Sequence, residues 1–254
     1  MYRFDREVYF DMVRASLFSG RLTQQQVDGQ NFILDIWEQT HNVERDRRWL
    51  AYPLATTLHE TAATMWPIEE YGKGSGQPYG KPDPVTGKAY YGRGFVQLTW
   101  KENYAKMTPI VQAAFPDDAI DLVGRPEQAL VPVYAAEIMF YGMEAGSFRA
   151  SSDGQRQTLQ RYFSNTRDDA YGAREIINGD KHLVPSWSNG VSIGNLIKGY
   201  HNKFMTALDA ALVEDIAPEP EPAPEPAEQV VTIDITTPPG VRVSVVVNDV
   251  PVTV

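Results

Sequence analysis

The groups in this chain best able to do chemistry are carboxylates. Its 254 residues include no cysteine and only four scattered histidines, His41, His59, His182 and His201. No thiolate can act as nucleophile or ligand, and a multi-histidine metal site is not expected. Acids and apolar helix formers come together in LATTLHETAATMWPIEEYGKG, starting at Leu54. A helix over 53–66 would turn Leu54, Leu58 and Met65 to a core, and Pro67 would force the chain out of it near Trp66. Glu60 then sits mid-helix among apolar neighbours, where desolvation favours the protonated carboxyl that a general acid needs. Glu69 and Glu70 follow on a loop that water can reach. One dry and one wet carboxyl are the pair that glycosidic bond hydrolysis uses. The plainer reading makes Glu60 a solvated helix residue and Glu69-Glu70 ordinary loop acids. A zinc hydrolase would need His-Glu-x-x-His, and position 63 is alanine. His59 is therefore read as a structural residue or one that supports a neighbouring functional group, and not as a metal ligand.

Two further segments add specificity. YYGRGFVQLTWKENY, Tyr90 to Tyr104, reads as a Gly-Arg-Gly turn, a short extended run and a helix capped by Thr99. AREIINGD spans Ala173 to Asp180. Taken in order, His59-Glu60-Thr61, a second glutamate, YYGRGFVQLTW and AREIINGD resemble glycoside hydrolase family 19, the chitinases and the related phage and bacterial endolysins. The opening LTQQQVDGQNFIL is similar to the phage-type members.

The resemblance implies a set of roles. Glu60 would be the general acid, and the second glutamate the base that activates water on the opposite sugar face. Glu70 is favoured for the base, with Glu69 as the alternative. Thr99 would help hold the nucleophilic water, Gln97 would contact sugar, and Arg93 would orient a carboxylate. Asn178 would bind an N-acetyl or hydroxyl group, and His59 and Tyr91 join the substrate-binding set. Each has a bland counterpart. Thr99 also suits a helix N-cap, Arg93 a surface ion pair and Asn178 a helix C-cap. Tyr90, Tyr91 and Trp100 could stack on sugars or pack, with packing favoured for Trp100. The chain departs from the plant-type pattern in lacking cysteines and in the short spacing between its glutamates. Such enzymes invert configuration and need no metal or cofactor.

The elements that must position these residues read as mostly helical over 1–214. Thr23 caps a helix bearing Val27, Phe32, Ile33, Ile36 and Trp37; others are expected at 100–114, 127–145, 155–163, 168–177 and 191–213. Residues 71–99, rich in Gly, Pro and Tyr, read as a long functional loop with a short hairpin. The expected fold class is mainly α, and the resemblance makes it a lysozyme-like, two-lobed helical domain with a small hairpin at the cleft.

A Pro/Glu-rich linker is expected at 215–228, followed by a short β-rich extension at 229–254. Val231, Ile233 and Ile235 alternate there with polar residues, as do the valines of 241–247 and 250–254. So small a meander cannot bury its apolar face alone, so docking or self-association through 229–254 is expected. The net charge of −10 argues against nucleic acid as a partner. The N-terminus lacks an apolar signal-peptide core and no run reaches membrane-span length, so a cytoplasmic origin with release or non-Sec export to the cell wall is expected. The expected partner is a peptidoglycan or chitin strand, with peptidoglycan preferred. Chitin hydrolysis, an inactive sugar-binding protein on the same fold and a lytic transglycosylase are the alternatives.

Overall fold

Nine consecutive residues, Leu50 to Leu58, are all buried, and they form the middle of one helix, Arg48–Glu60. A helix apolar all round must be enclosed by other elements, and this one is. In the computed structural model, which describes residues 2–42, 46–213, 236, 238–242, 245–247 and 250–252, it is central to the larger of two compact units. Full burial of Leu50, Leu54 and Leu58 alone is worth about 1.5–3 kcal/mol each.

In chain order the unit within Met1–Asp215 begins with a short strand, β1 (Arg3–Phe4), and helix α1 (Arg6–Leu17). Asp5 caps α1 by accepting from the Val8 N–H. Helix α2 (Gln24–Ile36) opens with Thr23 and Gln26 in a reciprocal capping box and runs into a π-helical turn, Trp37–His41. The central helix is α3 (Arg48–Glu60). Strands β2 (Ile68–Glu69) and β3 (Arg93–Gly94) pair antiparallel, with Ile68 opposite Gly94 and Glu69 opposite Arg93. Helices α4 (Lys101–Ala114), α5 (Pro132–Ala145) and α6 (Leu159–Tyr162) follow, with the β4–β5 pair (Phe163–Ser164, Arg167–Asp168). The long helix α7 (Ile193–Ala210) packs along α3 and α1, and β6 (Leu212–Val213) closes the unit by pairing with β1. The fold class is mainly α.

Buried residues form two clusters. The larger joins α1, α2, α3, α5 and α7 through side chains such as Trp37, Tyr52, Phe140, Phe163 and Phe204. The smaller gathers Tyr90, Leu98, Tyr104, Met107, Val111 and Ile138 around α4 and α5. Phe148 packs against both.

Several expectations shift. The central helix ends at Glu60, not Trp66. Thr61 turns its hydroxyl back to the Thr57 carbonyl (2.7 Å) and accepts from the Met65 N–H (3.1 Å), while the Ala63 N–H reaches back to Leu58 O (2.9 Å). Ala62, Ala63 and Met65 take positive φ, so this closed turn stops the helix before Pro67 can. Met65 is fully buried, but from outside the helix. Over 168–177 the chain forms only a 3-10 turn, Gly172–Ile176, and the start of 127–145 is a 3-10 stretch, Pro126–Leu130, before Pro132 opens α5. The expected helix 155–163 shrinks to one turn.

The second unit lies within Ile216–Val254. There β7 (Val245–Val247) pairs antiparallel with β8 (Val250–Val252), Val247 opposite Val250. The linker 215–228 and the run Val231–Ile235 lie outside the described residues. Among the described residues, no helix is long and apolar enough to cross a membrane.

Candidate active site

A groove of about 390 Å³ runs between the two side-chain clusters, lined by Glu60, Tyr79, Gln97, Thr99, Trp100, Asn103, Phe148 and Asn178, among others. Each wall has a structural origin. The C-terminus of α3 delivers Glu60, so a fully enclosed helix fixes where that carboxylate stands. Behind it, Gly29 of α2 permits contact with the turn after Glu60, since a Cβ there would come within 1.7 Å of the Met65 carbonyl oxygen.

Glu60 is not left among apolar neighbours, as the sequence suggested. The guanidinium of Arg174, itself only 3% exposed, is hydrogen-bonded to its Oε1. The same guanidinium donates to Asp180 through Nε (2.6 Å) and Nη2 (3.1 Å). Burial works against the charged form of Arg174, but Asp180 and Glu60 outweigh it and hold the guanidinium firmly protonated. Burial also disfavours ionised Asp180, yet Arg174 prevails and keeps that carboxyl below its ordinary range. One buried cation is thus divided between two carboxylates, and Asp180 takes two of its hydrogen bonds. His59, just before Glu60, is pushed down by burial, so its imidazole is neutral at pH 7. Its ring lies 6.4 Å from that of Trp187.

The opposite wall comes from the β2–β3 pair and the tight turn after it. Arg93 and Leu98 exchange backbone hydrogen bonds (3.1 and 2.8 Å), which closes the turn that carries Gln97. The Gly-Arg-Gly spacing has a steric reason. A Cβ at Gly92 would meet the Gln97 side chain at 2.8 Å, and Gly94 has φ +89° with the Ala129 carbonyl 2.9 Å from where its Cβ would be. Gln97 anchors itself by donating to Ile68 O (3.1 Å). The Thr99 hydroxyl donates to Gln97 O (2.7 Å), leaving oxygen lone pairs for a donor from the groove. Thr99 does not cap α4. Trp100 is the N-cap residue, at φ +75°, and Asn103 donates to Thr99 O (2.8 Å). Trp100 is 46% exposed and lines the groove beside Tyr79, so the expectation that it packs is corrected.

Glu69 and Glu70, adjacent along an extended chain, face different surroundings. Glu69 accepts from the Tyr91 hydroxyl (2.7 Å) and pairs with Lys73 (3.1 Å) and Arg93 Nε (3.4 Å). Burial raises this carboxyl, but Tyr91, Lys73 and Arg93 more than compensate and hold it below the ordinary range. Glu70 accepts from the Gly92 N–H (3.2 Å) and, at 3.5 Å, from the hydroxyl of Tyr79, a residue of the groove wall. Tyr91 is buried with the Arg93 guanidinium 3.7 Å over its ring, and Tyr90 is buried too, so neither ring is open for stacking. Arg93 is buried and also donates to Ala89 O and to Tyr104 Oη, both at 3.1 Å.

The structure therefore brings Glu60, Gln97, Thr99 and Asn178 into one groove and puts Glu70 next to its wall, while Glu69, Tyr91 and Arg93 form a separate supporting cluster. Asn178 is exposed, follows no α-helix, and donates to Asp180 (3.1 Å). Sequence reasoning missed Arg174, Asp180, Asn103, Tyr79 and Trp187. The first two lie within AREIINGD, where an arginine four residues before Asn178 and an acid two after it were a legible pairing. A second concavity of similar size, lined by Asp46, Arg47, Arg48, Trp49 and Phe163, has its charges already paired, Arg48 with Asp46 and Arg47 with Asp209.

No family model matches the chain, and no curated protein sequence matches it. Among solved structures it is similar to chitinase C from Streptomyces griseus HUT6037, at 20% identity over 82% of this chain and 76% of that one, with a TM-score of 0.47. It is likewise similar to a bacterial family 19 chitinase (20% identity, 80% and 94% covered, TM-score 0.48) and to a family 19, class IV chitinase from Zea mays (15%, 80% and 94%, 0.46).

Proposed function

We propose that this chain is a glycoside hydrolase that cuts β-1,4-linked N-acetylhexosamine polymers, peptidoglycan before chitin, by an inverting two-glutamate reaction. The observation that carries the reading is Glu60: a carboxylate at the end of a rigid buried helix, held by Arg174, opening on a groove whose other polar groups are amides and hydroxyls. Gln97, Thr99, Asn103 and Asn178 suit the hydroxyl and N-acetyl groups of a sugar, and Trp100 offers an aromatic face to a ring.

Glu60 enters the reaction as the carboxylic acid and donates its proton to the glycosidic oxygen as the bond breaks. Arg174 then faces the carboxylate that is left and stabilises its charge, while Asp180 keeps the guanidinium from being committed to Glu60 alone. Glu70 is the base. Its contact with Tyr79, a residue of the groove wall, favours it, whereas Glu69 is occupied by Tyr91, Lys73 and Arg93. Water between Glu70 and the sugar passes a proton to Glu70 while Thr99 accepts a hydrogen bond from it, and attack on the face opposite Glu60 inverts the anomeric carbon.

Digesting purified peptidoglycan and chitin side by side, with product masses read out, tests this. Reducing-end fragments from peptidoglycan support the reading. Anhydro-sugar products mean a transglycosylase, products from chitin alone move the substrate, and an absence of products from both refutes catalysis.

A further inference from the structure

Between Asp180 and α7 the chain forms a loop whose apolar side chains join neither core. Leu183 is 57% exposed, Val184 50%, Val191 39% and Trp187 63%. The loop is nevertheless held in shape. Its ends are tied by the Ile193 N–H to Leu183 O (2.9 Å) and the Gly194 N–H to Lys181 O (3.1 Å). Within it, the Ser188 N–H (3.0 Å) and hydroxyl (2.8 Å) both donate to Pro185 O. His182 Nδ1 hydrogen-bonds the Tyr171 hydroxyl at 2.6 Å, and a Cβ at Gly194 would run into the Tyr171 ring at 2.8 Å. A braced loop that displays these apolar side chains offers surface on which a ligand could pack.

Its place in the fold says what it contacts. Trp187 neighbours His59, the residue before Glu60, with the two ring planes 35° apart. It is not among the residues that line the groove, whereas Glu60 and Trp100 are. A pyranose ring presents a flat face of C–H groups that packs on an indole. A chain of such rings crossing Glu60 needs support on both sides of the bond to be broken.

We infer that Trp187 is a sugar-stacking residue, a second aromatic platform that holds the polymer on the His59 side of Glu60, so that this loop sets the strength of productive polymer binding. The inference rests on the hydrolase reading for its substrate class. Stacking on an aromatic face is worth about 1 kcal/mol, or roughly five- to tenfold in binding.

The test compares wild type, Trp187→Ala and Trp187→Phe on the β-1,4-linked N-acetylglucosamine hexamer and on soluble peptidoglycan glycan strands. Trp187→Ala should raise KM five- to tenfold with kcat within twofold, and Trp187→Phe should recover most of the loss. The hexamer is also titrated by calorimetry into Glu60→Gln with and without Trp187→Ala, which reads binding when hydrolysis is blocked. Weaker binding in the double variant supports the inference even if wild type hydrolyses neither substrate, an outcome that would sink only the hydrolase reading. Equal KM in an active enzyme, or equal hexamer binding with and without Trp187, overturns it.

Discussion

Replacing Arg174 by methionine removes a buried cation that Glu60 and Asp180 share. The side chain is 3% exposed and its partners Glu60 and Asp180 are 16% and 23% exposed, so solvent screens the loss only partly. Methionine keeps most of the volume but leaves Glu60 and Asp180 without the guanidinium to which both are bonded. Deleting one member of a buried ion pair costs about 3–5 kcal/mol. In a unit of this size 1 kcal/mol moves Tm by roughly 2–4 °C, so Tm should fall by about 6–20 °C at pH 7. The pH dependence gives a second check. The Asp180 carboxyl is held below its ordinary 3.8 by Arg174, against the effect of burial. A depressed carboxyl stabilises the fold above that ordinary value and loses the contribution as pH falls through the folded one. The gap in Tm between wild type and Arg174→Met should therefore narrow below about pH 4. Calorimetric melts from pH 7 to pH 3 measure both effects. An unchanged Tm at pH 7, or a gap that stays constant down to pH 3, would refute the shared-cation account.

Other outcomes follow from the same geometry. Glu70→Gln should lower kcat by 10²-fold or more, on the order expected of a catalytic base, while Glu69→Gln acts chiefly on stability; kinetics and melts of both variants check the assignment. His41, between Glu137 and Glu144 at 3.0 Å each, is pushed down by burial but raised overall by these acids to about 9. That group stabilises the fold fully below about pH 6.5 and loses the effect as pH rises through 9, worth up to about 3 kcal/mol. Wild-type Tm should drop across that window, and His41→Gln should flatten the profile. Gly29→Ala, forced against the Met65 carbonyl, should cost about 1–3 kcal/mol in denaturant melts and reduce kcat by shifting the turn after Glu60.

Much of this was legible from local patterns. Thr23 as N-cap announced α2, and the apolar spacing of Ile193, Ile197, Phe204 and Leu208 announced α7. Helix α1 went unread although Asp5, Glu7 and the Tyr9, Phe10, Val13 spacing all mark it. The end of α3 was misplaced because Pro67 is a visible stop, whereas the true stop is a hydroxyl of Thr61 serving two backbone partners, which composition does not display. At the site, Glu60, Gln97, Thr99 and Asn178 could be named because each stands in a short motif. The partner of Glu60 could not, because Arg174 lies 114 positions away and only tertiary packing joins them. Trp100 was misjudged for a related reason: its exposure depends on the positive φ that ends the turn after Gln97.

The anomeric form of the first product tests the central claim most directly. Proton NMR of the N-acetylglucosamine hexamer or of glycan strands, recorded within minutes of adding enzyme, should show the α-anomer appearing first with wild type and no product with Glu60→Gln. A β-anomer first, or undiminished turnover by Glu60→Gln, would contradict a reaction in which Glu60 gives the proton and Glu70 prepares the water.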